Sequence, residues 1–152
     1  MSWYIIIKFI HIVSATMMIG GSTANGIMEL NLKIKKKFKK ASEIEVIMNQ
    51  VKLINTKIVF PSLIALLITG LILVYIMNMS LFSKWIIISI ILFVFIFAIY
   101  FVGKYNEDNL EKVASENNVQ KMEKFHKRIL IFGPLASILI FTVLYLMIAK
   151  PY

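Results

Sequence analysis

The chain has 152 residues, of which 59% are hydrophobic and only 16% are charged, and its mean hydropathy is +0.81. A soluble domain is less apolar and carries more charge, so this composition predicts an integral membrane protein. The sequence contains no cysteine, which excludes disulfides, thiolate metal sites and thiol catalysis. The net charge of +9 would fit nucleic-acid binding in a soluble protein, but the positions of the basic residues indicate membrane orientation, and we expect no nucleic-acid partner.

Four segments are apolar enough, and long enough at about 20 residues, to cross a bilayer. They cover approximately residues 3–25, 58–77, 85–102 and 129–149. The first segment lacks the basic start and the small-residue cleavage site of a secretory signal, so we expect it to remain as a span. No internal repeat or linker divides the chain, and we therefore predict one all-α transmembrane domain over residues 1–152, folded as a four-helix bundle.

The basic residues are concentrated in the first and third connections between these spans. They are Lys33, Lys35, Lys36, Lys37, Lys39, Lys40, Lys52 and Lys57, then Lys104, Lys112, Lys121, Lys124, Lys127 and Arg128. The positive-inside rule places both connections in the cytoplasm, so both termini and the short link at 78–84 are predicted to lie outside. No organellar transit peptide is apparent, and we expect a multi-pass protein of the bacterial inner membrane in contact with lipids.

Both cytoplasmic connections are predicted to contain helical extensions of the spans. Apolar residues recur at helical spacing in each: Ile44, Ile47, Met48, Val51 and Ile54 in the first, and Val119, Met122, Phe125 and Ile129 in the second. We expect the first helix to continue into the second span with a bend at Pro61. The second helix is expected to begin near Asn117 and Asn118 and to run into the fourth span.

The first span carries the residues from which a site could be built. At 100° per residue, one of its faces collects Tyr4, Lys8, His11, Ser14, Ala15, Met18, Gly21, Ser22 and Asn25. This small and polar face is expected to look into the bundle. His11 lies about 12 Å along the helix from Trp3. An ionisable residue at that depth indicates a functional site, the alternative being a neutral structural histidine bonded to Ser or Thr.

An imidazole at this depth is a ligand for haem iron, copper or zinc. The second histidine, His126, lies on the cytoplasmic approach to the fourth span, too far from His11 to share a metal, and is expected to be solvated or to face lipid headgroups. A second axial ligand would be a methionine, a lysine, water or a partner's residue. None of the four spans contains Asp or Glu, which disfavours a proton-coupled transporter.

Several short segments carry a resemblance to known membrane proteins. They are Lys8-Phe9-Ile10-His11-Ile12-Val13, Ile19-Gly20-Gly21, the stretch from Pro61 to Thr69-Gly70-Leu71, and Met147-Ile148-Ala149-Lys150-Pro151. Together they resemble an uncharacterised four-helix integral-membrane family allied to the copper-resistance D proteins. More distantly, the chain is similar to the haem-containing membrane protoporphyrinogen oxidase of bacteria. This resemblance implies four spans and places a haem ligand of the first span on His11.

The sequence departs from the oxidase in the third and fourth spans. The third span is apolar after Lys84, and Ile131-Phe132-Gly133-Pro134 stands where the oxidase has Asn-Glu-x-Pro. The polar groups expected to handle a porphyrinogen and its protons are therefore missing. The resemblance therefore still implies haem binding. If the protein has an activity, the resemblance implies that it is an oxidoreductase.

We therefore predict a small membrane protein that binds haem b and serves electron transfer or haem handling. His11 is the predicted metal ligand, Lys8 and Lys150 are expected to pair with the propionates, and Met18 is predicted to line the cofactor site. Copper binding or transport is one alternative, and a cofactor-free subunit or scaffold is another. Haem or a porphyrin is the expected partner, while a quinone, a redox protein and a second copy of the chain stay open.

Overall fold

The computed structural model describes residues 3–32, 41–116 and 118–149. Its helices are α1 (Trp3–Asn31), α2 (Ala41–Ile54), α3 (Phe60–Ile76), α4 (Lys84–Ser115) and α5 (Val119–Ala149). A π-helical turn, Asn55–Val59, joins α2 to α3 in one continuous rod, and these described ranges contain no strand. Four helical segments are long and apolar enough to cross a membrane, namely Trp3–Asn31, Ile44–Ile76, Lys84–Ser115 and Val119–Ala149. The predicted all-α, four-span architecture is confirmed.

The long helices exceed the thickness of a membrane. A helix of 29 residues such as α1 is about 43 Å long, whereas the hydrocarbon core measures about 30 Å. The bundle therefore continues beyond its apolar part, and the predicted extensions of the second and fourth spans are confirmed. The extension of α4 to Ser115 was not predicted.

The extensions have a core of their own at the end of the bundle where α1 ends and α5 begins. Its buried residues are Leu32, Ile44, Met48, Val51, Leu110, Val113, Ala114, Met122 and Ile129. The helically spaced apolar residues of α2 thus pack against α4 and α1. On the outside of this core, Lys52 forms ion pairs with Asp108, at 3.0 Å, and with Glu111.

A second core lies within the spans. It consists of Met18, Val59, Leu63, Leu66, Ile96 and Ile140. Large apolar side chains such as Phe9, Phe95 and Phe141 are exposed on the outside of the helices, as expected for surfaces in contact with lipid tails.

Gly21 brings α1 close to the π-helical turn. A Cβ atom at Gly21 would lie 2.9 Å from Cγ2 of Val59, closer than carbon atoms pack. The close approach confirms that the small-residue face of α1 looks into the bundle, where Ser14, Met18 and Asn25 are also buried.

The rod from α2 to α3 passes through Pro61 without a break, as predicted. Pro61 is the second residue of α3, and only Phe60 separates it from the π-helical turn. Proline lacks a backbone N–H, so it cannot make the usual bond one turn back, and a local change of helical pitch just before it accommodates this loss. The wider turn was not predicted, and it positions Asn55 in the site described below.

Candidate functional site

His11 is held at the contact between α1 and α3. Its Nδ1 lies 2.8 Å from Thr69 Oγ1, and the Thr69 hydroxyl donates to the carbonyl of Ala65 at 2.6 Å. Because a hydroxyl has a single proton, this network assigns the Nδ1 proton to the imidazole, which donates it to Thr69. The lone pair of His11 is therefore on Nε2, the nitrogen that remains able to accept a bond or bind a metal.

Gly70 gives the imidazole room against α3. A Cβ atom at this position would lie 3.4 Å from Cε1 of His11 and 3.9 Å from Nδ1. The adjacent residues Thr69 and Gly70 thus fix the orientation of His11 together, one by a hydrogen bond and the other by the absence of a side chain. The half-buried ring is neither free to rotate into lipid nor closed off from the interior of the bundle.

A cavity of about 640 Å³ opens beside His11 between α1, α3, α4 and α5. We call it the His11 cavity. Its volume is within the range of small-molecule and cofactor sites, and its walls are mostly apolar. Met18 and Lys8, two of the predicted site residues, line it. Lys8 is exposed, with its ammonium 5.5 Å from the centre of the Tyr4 ring, and Lys150 lies outside the described residues.

A second cavity, of about 590 Å³, lies towards the helical extensions. We call it the Glu107 cavity. Its polar lining includes Asn25 and Glu29 from α1, Asn55 from the π-helical turn, and Tyr100 and Glu107 from α4. Three buried residues, Met18, Ile96 and Ile140, line both cavities. They form an apolar partition between the two cavities.

The polar lining of the Glu107 cavity is linked by hydrogen bonds. Asn25 Nδ2 donates to Asn55 Oδ1 at 2.8 Å, and Asn55 Nδ2 donates to both carboxyl oxygens of Glu107 at 2.9 and 3.0 Å. The Tyr100 hydroxyl lies 3.4 Å from the backbone carbonyl of Asn55. Asn55 is therefore the centre of the network, and the π-helical turn sets its position. Such turns often occur at functional sites.

Two features of this region differ from the sequence-based predictions. His126, predicted to be solvated, is half-buried, and its Nε2 lies 2.9 Å from the backbone carbonyl of Glu29 in the last turn of α1. It ties α5 to α1 instead of facing solvent. Glu29 and Glu107 lie just beyond the predicted spans and were not among the predicted site residues, although both are buried. The four-residue spacing of Asn25 and Glu29 on one helix face is the signal that could have found Glu29.

The sequence model of a protein family described as "Predicted integral membrane protein (DUF2269)" matches residues 5–151. That description gives a membrane location and no activity. No curated protein and no solved structure matches the chain.

Proposed function

The chain belongs to the DUF2269 family of predicted integral membrane proteins, and we propose that it binds haem b in the His11 cavity through Nε2 of His11. The observation that carries this proposal is that His11 lines a large apolar cavity while its Nδ1 is bonded to Thr69 Oγ1, a bond that a purely structural histidine would also make. Histidines that ligate metals usually donate their other ring N–H to a fixed acceptor, which sets the tautomer and the ring orientation. Thr69 is such an acceptor, because its own proton is given to Ala65.

The size and the apolar walls of the cavity support the binding of a flat, largely apolar macrocycle. Its volume of about 640 Å³ is bounded mainly by aliphatic and aromatic side chains, against which the porphyrin edge would pack. Haem propionates need water or a cationic partner, since unpaired carboxylates are not stable in hydrocarbon. The exposed Lys8 supplies one such partner at the cavity wall. Lys150 stays a predicted second partner.

Each residue of the site would have a separate task. His11 would ligate the iron, and Thr69 would hold the imidazole by a hydrogen bond. Gly70, which has no side chain, would leave space for the ring against α3. Met18, buried at the partition, would close the cavity towards the helical extensions and exclude water. Haem held in this way supplies one-electron chemistry, which suits electron transfer or the handling of haem within the membrane.

Haem requires as little as one axial histidine from the protein, whereas copper sites usually combine several imidazole or sulfur ligands. The structure contributes one imidazole to the His11 cavity, and Met18, Met79 and Met147 also line it. A volume of about 640 Å³ is far more than a single copper ion needs and suits a macrocycle. Haem is therefore preferred to copper.

The proposal is tested by expressing the wild type, His11→Ala and His126→Ala with ample haem and recording reduced-minus-oxidised spectra of the purified proteins. We expect a b-type Soret and alpha band in the wild type and in His126→Ala, and its loss in His11→Ala with the protein still inserted in the membrane. A colourless wild type would refute haem binding, and metal analysis of the same sample would then distinguish a copper protein from one without a cofactor. Loss of the band only in His126→Ala would move the site to the other end of the bundle.

For the orientation, we propose that the helical extensions lie in the cytoplasm of a bacterial cell and that both termini lie outside. The support is the concentration of lysine and arginine in the first and third connections. A reporter active only in the cytoplasm should give a signal when fused after Lys40 or Asn118 and none when fused after Tyr152. A signal from the Tyr152 fusion would reverse the orientation.

A further inference from the structure

Two buried acidic side chains line the Glu107 cavity. Glu29 and Glu107 are 7% and 6% exposed, and they come from different helices. Two buried carboxyl groups that face one space are unfavourable unless an opposite charge or a proton compensates them.

The described lysines do not provide that compensation by contact. Lys52 and Lys104 attract the Glu107 charge through space and Asp108 repels it. Lys52 is already paired with Asp108 and Glu111, and Lys104 is exposed. Within residues 3–32, 41–116 and 118–149, no ion pair reaches Glu29 or Glu107. The direct partner of the Glu107 carboxyl group is the neutral amide of Asn55.

An independent observation on Asn25 points to a ligand in the same cavity. Asn25 is 5% exposed and lines the cavity, and its Nδ2 donates a hydrogen bond to Asn55 Oδ1. Its Oδ1 is buried without a hydrogen-bond partner among the described residues. An amide oxygen in that position loses its hydration and gains nothing in return, which costs about 1–3 kcal/mol. A cation at this oxygen would remove that penalty.

We propose that the Glu107 cavity is a binding site for a hard divalent cation, with Asn25 Oδ1 and the carboxyl groups of Glu29 and Glu107 as ligands. All three groups offer oxygen, the donor that Mg²⁺, Ca²⁺ and Mn²⁺ prefer. Two carboxylates balance a double positive charge, and the cavity of about 590 Å³ leaves space for the water ligands that such ions retain. Asn55 orients Glu107 as an outer partner and is not itself a ligand. This site does not depend on haem in the His11 cavity.

The test is the binding of Mn²⁺ to the purified full-length protein after treatment with a chelator, followed by electron paramagnetic resonance of the free ion. We expect one Mn²⁺ per chain in the wild type. Glu29→Gln and Glu107→Gln should each weaken binding by more than about tenfold. The matched control is Glu123→Gln, which removes an exposed carboxylate of α5 outside the cavity and should leave Mn²⁺ affinity unchanged.

A second measurement uses only the wild type and so tests the proposal even if the variants do not fold. Mn²⁺ should raise the apparent Tm of the wild type, and Mg²⁺ or Ca²⁺ should displace the bound Mn²⁺. Absence of Mn²⁺ binding by the folded wild type would overturn the proposal. Unchanged affinity in folded Glu29→Gln and Glu107→Gln would overturn it equally. Greater stability of both glutamine variants, with no Mn²⁺ binding by the wild type, would show that protons compensate the carboxyl groups.

Discussion

The His11 cavity and the Glu107 cavity are similar in volume and share a wall, but their chemistry is different. The first offers one imidazole fixed by a neutral hydroxyl, whereas the second gathers two carboxyl groups, two asparagine amides and a phenol. The difference follows their position along the bundle. The His11 cavity lies within the apolar spans, and the Glu107 cavity lies where the helices begin to project beyond them. Charged groups are cheaper to bury near the end of a span than in its middle.

Met18, Ile96 and Ile140 keep the two environments apart. Each is 5 or 6% exposed, and together they place apolar atoms between the imidazole and the carboxyl groups. Without this partition, water drawn to the acidic groups would reach the apolar cavity. The bundle therefore combines a site suited to an apolar cofactor with a site suited to an ion, and each can be tested without altering the other.

The largest effect is expected from a charge placed in the partition. Met18→Asp would bury a carboxylate between apolar residues and should destabilise the protein by about 3 kcal/mol or more. The loss of folded protein is measured by heating detergent-solubilised samples and analysing them by gel filtration. The matched control is Met18→Leu, which conserves volume and polarity and should cost less than about 1.5 kcal/mol. Equal stability of Met18→Asp and the wild type would show that the partition is wet.

The next effect concerns the contact of α1 with the π-helical turn, immediately beside the partition. In Gly21→Ala the new Cβ would lie 2.9 Å from Cγ2 of Val59, a buried and stiff side chain. We expect a loss of about 1–3 kcal/mol, as for other overpacked cores. Gly20→Ala is the control, because a Cβ there meets nothing within 4 Å. The same heating assay should show that only Gly21→Ala lowers the apparent Tm, and the reverse order would contradict the packing of α1.

The tautomer of His11 gives a third prediction, confined to the His11 cavity. Thr69→Val keeps the shape of the side chain and removes the acceptor for Nδ1–H. If haem binds as proposed, its affinity should fall by about 10- to 100-fold, the usual effect of losing the outer partner of a metal ligand. Thr142→Val is the control, since the Thr142 hydroxyl is exposed and bonds only to its own helix at Ile138. Titration of the purified proteins with haem measures the affinity of each variant. Equal haem affinities of Thr69→Val and the wild type would show that Thr69 is not part of the site.

The sequence predicted the His11 side of this comparison better than the Glu107 side. The inward face of α1 could be found from periodicity, because small and polar residues stand out against an apolar helix. Ser14, Met18, Gly21 and Asn25 are buried as that pattern predicts. A bond from His11 to a Ser or Thr was foreseen only for the alternative of a structural histidine, and Thr69 could not be named because the pairing of α1 with α3 is a tertiary contact.

The Glu107 side depends on features that a hydropathy pattern does not show. Residues 103–115 carry several charged side chains and follow the predicted third span, yet Asn106, Leu110, Val113 and Ala114 form a buried helical stripe. Asn55 reaches Glu107 from the π-helical turn, where the ordinary helical periodicity is interrupted. A site assembled from three elements at such an irregularity is specified by packing, and local sequence signals cannot place it.

The smallest effect is expected from the exposed ion pairs next to the Glu107 cavity. The side chains of Lys52, Asp108 and Glu111 are between 25% and 38% exposed, so water screens their attraction and such pairs contribute about 1 kcal/mol or less. Lys52→Met should therefore lower the apparent Tm only slightly, and high salt should reduce the difference from the wild type. Because Lys52 also attracts Glu107 through space, its removal should strengthen Mn²⁺ binding slightly. Weaker Mn²⁺ binding in Lys52→Met would mean that this lysine helps to build the cavity instead of competing with the ion.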